Sequence, residues 1–261
     1  MAKKSKVGLL VLLATFLAFG NIYAQEPIDY KQLMAKCSEA IKQVKSYNVE
    51  LEAKNYFTIN SQENKGNSAK LNIAFVSPDK FKVEQVLNED SNENLWDGWI
   101  VIGNDYYEFR ANPPAPGQDL NSYRPALSWA KGDDDNRKAI CKNNSSEGII
   151  KQLEEIEKKY KRESISPATK DGTEYFVIKY LFGKELVDIE SLPPELKNSK
   201  VNGTYEIWIN KKSYLPSKQS EKVSYYSNEQ NKGAASTDIN YSSYNENKIK
   251  IDEPALGSNV F

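Results

Sequence analysis

The residue types that most often carry chemistry are scarce in this chain, and their spacing is typical of no common catalytic site. Histidine is absent from the 261 residues. Its absence excludes histidine-dependent serine and cysteine triads, His-containing zinc sites and the usual proton carrier near neutral pH. Serine–lysine pairs and paired carboxylates need no histidine, so hydrolysis by either stays a minor alternative. We therefore predict a protein that is not an enzyme and needs no cofactor.

Two local motifs could be mistaken for ligand sites. Asp133, Asp134 and Asp135 suggest calcium, but they lack the spaced oxygen ligands, the central glycine and the distant glutamate of a calcium loop. Gly98 and Gly103 belong to no phosphate-binding pattern, so we predict turn glycines. The sequence thus predicts a solvated acidic loop and no metal site.

The charge of the chain argues against nucleic acid as a partner. There are 35 Lys and Arg against 36 Asp and Glu, which gives a formal net charge of −1. Nucleic acid is bound by a dense basic surface that displaces counterions. We therefore exclude DNA and RNA from the expected partners.

Residues 1–24 have the three-part pattern of a secretory signal peptide. Three lysines form a positive start, residues 7–19 are almost wholly apolar, and Ala24 is a small residue suited to the position before a cut. The apolar run is shorter than the ~20 residues that a membrane-spanning helix needs, although an uncleaved anchor is the alternative. Cleavage would leave 237 residues with a formal net charge of −4. We predict an exported, soluble protein in the periplasm or another extracytoplasmic space.

The two cysteines, Cys37 and Cys141, are an even pair in a chain that we expect to be exported. That setting favours a disulfide between them. The alternative is a pair of buried free thiols, because Cys37 falls on the apolar side of a predicted helix.

Hydrophobic periodicity predicts an α+β fold built on one antiparallel sheet. Apolar residues recur at helical spacing in residues 30–47 and 148–161. Around residues 49–53, 71–75 and 81–85 they alternate with polar residues, as in half-buried strands. We also predict a hairpin over 96–109 with turns at 97–98 and 103–104, a short helix within 119–131, and strands at 174–182, 203–210, 215–226 and 234–244.

Aromatic residues are concentrated on the predicted strands. The chain has 16 Tyr, 9 Phe and 4 Trp, and segments such as residues 175–178 place bulky side chains on both faces. A sheet that is apolar on both faces must be covered on both, or must line a cavity. A helix-covered core and a ligand-holding concave face both remain open as interpretations.

Three groups of segments follow one another in an order that is familiar. The predicted signal peptide and one amphipathic helix precede Lys45-Ser46-Tyr47-Asn48-Val49-Glu50; residues 75–84 lead into Trp96-Asp97-Gly98-Trp99 and Tyr106-Tyr107-Glu108; and residues 205–210, 214–218 and 241–254 close the chain. This layout resembles the LolA-like superfamily, the outer-membrane lipoprotein carrier family and its relatives.

The resemblance covers essentially the whole mature chain and implies both a fold and a function. It implies that residues 25–261 form a single, strongly curved antiparallel sheet, a half-barrel, with helices packed in its concave side. The space between sheet and helices would hold acyl chains of lipoproteins or other lipids. An arginine is linked to gating in the lipoprotein carrier, and none of Arg110, Arg124, Arg137 and Arg162 matches it.

We therefore predict an exported, non-enzymatic binding protein that holds an acyl chain, a lipid or a lipoprotein in an apolar cavity, for transport across the envelope. We expect a monomer. The alternative is an envelope sensor or interaction domain that binds a protein partner without carrying lipid. The strand alternation places the predicted cavity-lining side chains on the concave face: Leu51, Leu71, Ile73, Phe75, Phe81, Val83, Trp99, Val101 and Ile207.

Overall fold

The computed structural model describes residues 29–65, 68–87, 95–111 and 127–256, so the predicted signal peptide lies outside the described residues. These ranges form one antiparallel sheet and three α-helices, α1 (Tyr30–Lys42), α2 (Asp135–Asn143) and α3 (Ser146–Lys159). The strands are β1 Ser46–Ile59, β2 Gln62–Lys65, β3 Ala69–Val76, β4 Lys80–Leu87, β5 Leu95–Ile102, β6 Asp105–Ala111, β7 Leu127–Lys131, β8 Lys161–Lys170, β9 Thr173–Phe182, β10 Lys200–Asn210, β11 Pro216–Asn228 and β12 Asn231–Ser242. No helix in the described ranges is long and apolar enough to cross a bilayer.

The sheet is curved and open. Its strands follow the order β7-β6-β5-β4-β3-β1-β12-β11-β10-β9-β8, with β2 paired to β1 outside this path. Most neighbouring strands are consecutive in the chain. The exceptions are the pairing of β1 with β3, which skips the short strand β2, and that of β1 with β12, where Val49 lies opposite Tyr241. The curved antiparallel α+β sheet that the sequence predicts is confirmed.

Each helix begins at a side chain that caps its first turn. The carboxylate of Asp29 accepts from the backbone N–H of Lys31 at the start of α1, and the hydroxyl of Ser145 accepts from Gly148 at the start of α3. Such caps satisfy N–H groups that have no partner within the helix. Asp134 has the same role in α2, since its carboxylate accepts from two backbone N–H groups. The acidic triplet is therefore the start of a helix.

Two sequence expectations about elements are wrong, and two elements are not anticipated. Residues 127–131, assigned to a short helix, form strand β7, while residues 119–126 lie outside the described ranges. Gly98 lies inside strand β5 instead of in a turn, and a Cβ there would overlap the Phe109 ring that packs over it. Helix α2 and strand β8 are not anticipated, because neither has a regular apolar period. The turn at Gly103 is confirmed, with a positive φ of 59°.

One face of the sheet, here called the inner face, packs against the helices. Side chains alternate between faces and residues paired across strands share a face, so the registers define it. One row of inner-face residues crosses five strands through the pairs Ile207–Gln219, Gln219–Ile239, Ile239–Leu51 and Leu51–Leu71. The buried stripes of α1 and α3 belong to the same hydrophobic cluster as this face.

A chain of aromatic rings crosses the inner face beneath the helices. Tyr160, at the end of α3, stacks on Tyr205 with 5.4 Å between ring centroids. On the other side, Tyr47 packs at 4.9 Å against Phe75. The Tyr47 hydroxyl donates to the backbone carbonyl of Asn144, which lies between α2 and α3. The rings therefore tie both helices to the sheet.

A single buried amide joins the two halves of this aromatic chain. Gln219 is 1% exposed; its carbonyl oxygen accepts from the Tyr205 hydroxyl and its Nε2 donates to the Tyr241 hydroxyl at 2.8 Å. Three buried polar groups thus satisfy one another on strands β10, β11 and β12. Leaving such groups without partners costs about 1–3 kcal/mol each.

The outer face carries a smaller hydrophobic cluster. Ile251, from the segment after β12, packs with Ile100 and Tyr107. The Tyr107 hydroxyl donates to the carboxylate of Glu253 at 2.6 Å. The end of the described chain thereby covers the apolar outer side of β5 and β6.

We predict that Gln219→Leu destabilises the protein by at least ~1–3 kcal/mol, because it leaves the Tyr205 and Tyr241 hydroxyls buried without partners. Urea unfolding followed by circular dichroism measures the change in the free energy of unfolding. Gln230→Leu, in the exposed turn before β12, is the matched control and should be nearly neutral. Equal stability of the two variants would contradict this account of the amide.

Candidate functional site

All nine predicted cavity residues lie on the inner face. The registers pair Phe75 with Phe81 and Phe81 with Val101, and Val83 lies opposite Trp99. The structure therefore brings these side chains together in the predicted register. Their ligand-binding role remains a prediction.

Seven of the nine fill the core and leave no open surface. They are at most 5% exposed and belong to the cluster packed against the helices: Ile73, Phe75, Phe81, Val83, Trp99, Val101 and Ile207. Leu51 and Leu71 are only partly buried. The inner face is thus divided into a filled half beneath the helices and a half that remains partly exposed.

The partly exposed half, here called the open half, continues from Leu51 and Leu71 toward the far end of β1. It includes Ala53 and Phe57, each partly exposed on the inner face. The Phe57 ring lies over Gly233, where an added Cβ would come within 2.6 Å of it. Sequence reasoning missed this region because its alanines and glycine give a weak hydrophobic signal, although the residues alternate as in a strand.

Residues 183–199 cross the inner face of β10, β11 and β12 as an irregular segment with three 3-10 turns, here called the strap. Leu192 and Leu196 anchor it, since they are 8% and 0% exposed within the main core. Between the strap and the sheet lies a cavity of about 210 Å³. It is lined by Leu186, Val187, Asp188, Glu221, Val223, Tyr225, Ala235, Ser236 and Thr237.

Glu221 is the unusual group in this cavity. Burial raises the pKa of its carboxyl, while the charge of Lys159 acts in the opposite direction. No hydrogen bond, and no ion pair within 4 Å, joins this carboxylate to any residue in the described ranges. It lies near the hydroxyls of Tyr160, Tyr205 and Tyr225, whose pKa values its charge helps to raise.

Two clefts open on the outer face. One, of about 650 Å³, is lined mainly by outward-facing residues that include Tyr56, Thr58, Tyr226 and Ala234. Tyr56 and Tyr226 are 50% and 46% exposed, which is high for such large side chains. The other cleft, of about 400 Å³, has a mixed polar lining that includes Glu50, Asn72 and Lys82 among its residues.

A polar cluster beneath α2 has a structural role. The Arg137 guanidinium lies 4.8 Å from the Trp99 ring and donates to the Tyr106 hydroxyl at 3.0 Å. That hydroxyl donates in turn to Glu108 at 3.0 Å. These contacts join α2 to β5 and β6.

Neither place with the SxxK spacing of serine–lysine enzymes has suitable geometry. Ser77 and Lys80 flank a turn, and Ser128 and Lys131 lie three positions apart on strand β7, which directs their side chains to opposite faces. That chemistry needs the serine and the lysine side by side. In the described ranges, no group of three or more His, Cys, Asp and Glu side chains could hold a metal ion.

The predicted disulfide is absent from the structure. Cys37 and Cys141 are free thiols, 0% and 1% exposed. Burial raises the pKa of Cys37 to about 12 and, with a partly opposing contribution from Trp99, that of Cys141 to about 11. Cys37 instead lies close to the aromatic chain, near Tyr241 and Tyr244. Cys37 lies in the buried apolar stripe of α1, which agrees with the alternative of two buried free thiols and not with the disulfide expected for an exported protein.

Comparison with known proteins gives structural likenesses and no sequence relative. No protein-family model matches the chain, and no curated protein matches it by sequence. LprF from Mycobacterium bovis is similar over 86% of this chain and 96% of its own, with 12% identity and a TM-score of 0.43. A LolA superfamily protein from Nitrosomonas europaea is similar over 83% and 93%, with 11% identity and a TM-score of 0.26. A domain assigned to outer membrane lipoprotein sorting, from Vibrio parahaemolyticus, is similar over 85% and 95%, with 11% identity and a TM-score of 0.29.

We predict that both cysteines are alkylated when the protein is unfolded without reductant, and that both react slowly in the folded protein because the reactive thiolate is disfavoured. Mass spectrometry after iodoacetamide treatment in guanidinium, with and without prior reduction, measures this. Two modifications should appear in both samples. Modification only after reduction would restore the disulfide.

Proposed function

We propose that this protein is an exported, non-enzymatic binding protein that holds an acyl chain or similar apolar ligand on the open half of the inner face. The observation that carries the proposal is the division of that face. Leu51 and Leu71 continue the core row but stay partly exposed, and an open cavity lies beneath the strap near them. An apolar surface that is shielded but not filled is the usual setting of a small-molecule site.

Burial of the chain itself supplies the affinity in this proposal. Each methylene group removed from water contributes ~0.8 kcal/mol, so a long acyl chain needs few polar contacts to bind firmly. Among the nine residues predicted from sequence, we propose Leu51 and Leu71 as direct contacts. The seven buried ones would touch only a ligand that displaces a helix, so we propose them as the wall behind the site.

The proposed cellular location follows from the N-terminal sequence, and it limits the class of ligand. Residues 1–24 are proposed to direct export and to be removed, which would place the binding face in the envelope or outside the cell. There the ligand would be a lipid, or the acyl part of a lipoprotein, in transit between membranes. We propose that the protein acts as a monomer and without nucleic acid.

We predict that Ala235→Trp blocks ligand binding while Ala234→Trp does not. Ala235 lines the strap cavity on the inner face, whereas its neighbour Ala234 points outward. The neutral fluorophore N-phenyl-1-naphthylamine, which brightens in apolar sites, reports binding in a fluorescence titration. We expect at least a tenfold weaker apparent affinity for the inner-face variant alone. Circular dichroism confirms that both variants are folded.

Two results would count against the proposal. One is the absence of fluorophore binding by the wild-type protein, together with the absence of co-purified lipid in native mass spectrometry. The other is an equal effect of the two tryptophans, which would place the fluorophore outside the open half.

A second candidate function is protein interaction through the outer face. It is favoured by Tyr56 and Tyr226, two half-exposed rings beside a cleft of about 650 Å³. Exposed aromatic side chains are enriched at protein interfaces.

For this second candidate we predict that the double variant Tyr56→Ser, Tyr226→Ser loses a defined envelope partner in a cross-linked pull-down, while Ala235→Trp retains it. Retention of every captured protein by the double variant would refute the interaction candidate. Loss by both variants would indicate a partner bound through the lipid site instead.

A further inference from the structure

The cavity beneath the strap is negatively charged. Asp188 and Glu221 are among its lining residues, and no lysine or arginine of the described ranges lines it. The nearest cation acting on Glu221 is Lys159, which lies more than 4 Å from the carboxylate and is itself exposed. An apolar cavity with this lining favours a cation over a second anion.

Glu221 is a half-buried carboxylate that makes no hydrogen bond to the described residues. The groups around Glu221 are Tyr205 on β10, Tyr225 on β11, Tyr160 after α3 and Thr237 on β12. None of them donates a hydrogen bond to it, since the Tyr205 hydroxyl is already directed to Gln219. Among the described residues the Glu221 carboxylate is therefore left available to accept a hydrogen bond from a bound group.

A row of small side chains on the inner face, here called the trough, leads from Glu221 across the open half. Glu221 pairs with Thr237, Thr237 with Ala53, and Ala53 with Ala69. The row that flanks it on one side, with Ile239, Leu51 and Leu71, has longer apolar side chains. Three strand spacings make the trough about 14 Å long, which suits a medium-length alkyl chain lying across the strands.

We infer that the ligand is a single-chain amphiphile with a cationic amine end, held by Glu221 beneath the strap with its alkyl chain along this trough. The inference rests on the proposed function and adds the chemistry of the ligand's polar end. The strap cavity, at about 210 Å³, is smaller than the roughly 300–1,000 Å³ of a complete ligand site. It therefore receives the amine and the first part of the chain, while the trough takes the rest.

Displacement of N-phenyl-1-naphthylamine by three matched amphiphiles tests the inference. Dodecylammonium, dodecanol and dodecanoate share a chain length and differ in end-group charge, and each is used below its micelle concentration. We expect dodecylammonium to displace the fluorophore at a concentration at least tenfold lower than dodecanoate, with dodecanol between them.

Variants separate the role of Glu221 from general effects on the site. Glu221→Gln should abolish the preference for the amine while dodecanol still displaces the fluorophore. Thr237→Lys, which places a cation opposite Glu221, should also abolish the preference for the amine while dodecanol still displaces the fluorophore. Glu84→Gln removes a carboxylate from the outer face and should leave the preference unchanged.

Stability measurements guard against a trivial loss of binding. Burial raises the pKa of Glu221 in the folded protein, so its ionisation at neutral pH works against folding. The protonated carboxyl is the form that folding favours. The stability it contributes is present in acid and is lost as the pH rises through the pKa of Glu221 in the folded protein. Glu221→Gln should therefore melt at neutral pH at a temperature equal to or above that of the wild type.

The outcomes distinguish this inference from the proposed function. Equal or stronger displacement by dodecanoate, or a preference for the amine that survives Glu221→Gln, would overturn the inference and leave an apolar site in place. Failure of the fluorophore and of all three amphiphiles to bind would overturn the proposed function.

Discussion

Two hydrogen bonds made by the Gln219 side-chain amide hold the centre of this structure together. They satisfy the hydroxyls of Tyr205 and Tyr241 at a depth where water does not reach. Through the ring of Tyr205 the same contacts support Tyr160 and thereby the end of α3. Through Tyr241, which packs on Tyr47, they extend to the junction of α2 and α3. These contacts therefore fix the helices over the filled half of the inner face.

That division explains how one sheet can contain both a solid core and a partly exposed apolar surface. The large rings of the filled half interdigitate and need no ligand for their stability. The open half has small side chains such as Ala53 and Thr237 on its floor, and both are only partly buried. An apolar ligand there would complete the packing that the protein itself leaves unfinished.

The sequence predicted the faces of the sheet better than it predicted their occupancy. Alternation is a local property, and it placed distant residues such as Leu51, Phe81 and Ile207 correctly on one face. Whether such residues are buried depends on where the helices end, and α1 ends at Lys42, five residues earlier than the period suggested. Strand β8 was missed because most of its residues are exposed on both faces, which removes the alternation that identifies strands.

The candidate site was only partly accessible to sequence reasoning, for a related physical reason. Leu51 and Leu71 are large enough to signal a buried face, whereas Ala53, Ala69 and Thr237 are not. The position of Glu221 opposite Thr237 depends on the pairing of β11 with β12, and its exposure to the cavity depends on the strap. No local sequence pattern predicts that the neighbours of Glu221 donate no hydrogen bond to its carboxylate.

The pairing of β1 with β12 at the middle of the sheet has a consequence for the order of events in a cell. Thr237 and Ala53 meet on the inner face although 184 positions of the chain separate them. Contacts of such long range form late, since the entropy of closing the intervening loop must be overcome first. A chain threaded through a membrane from its N-terminus would present no trough until its last strand had followed. The inner face is therefore completed by the strand that is synthesised last among those described, and no earlier part of the chain forms it alone.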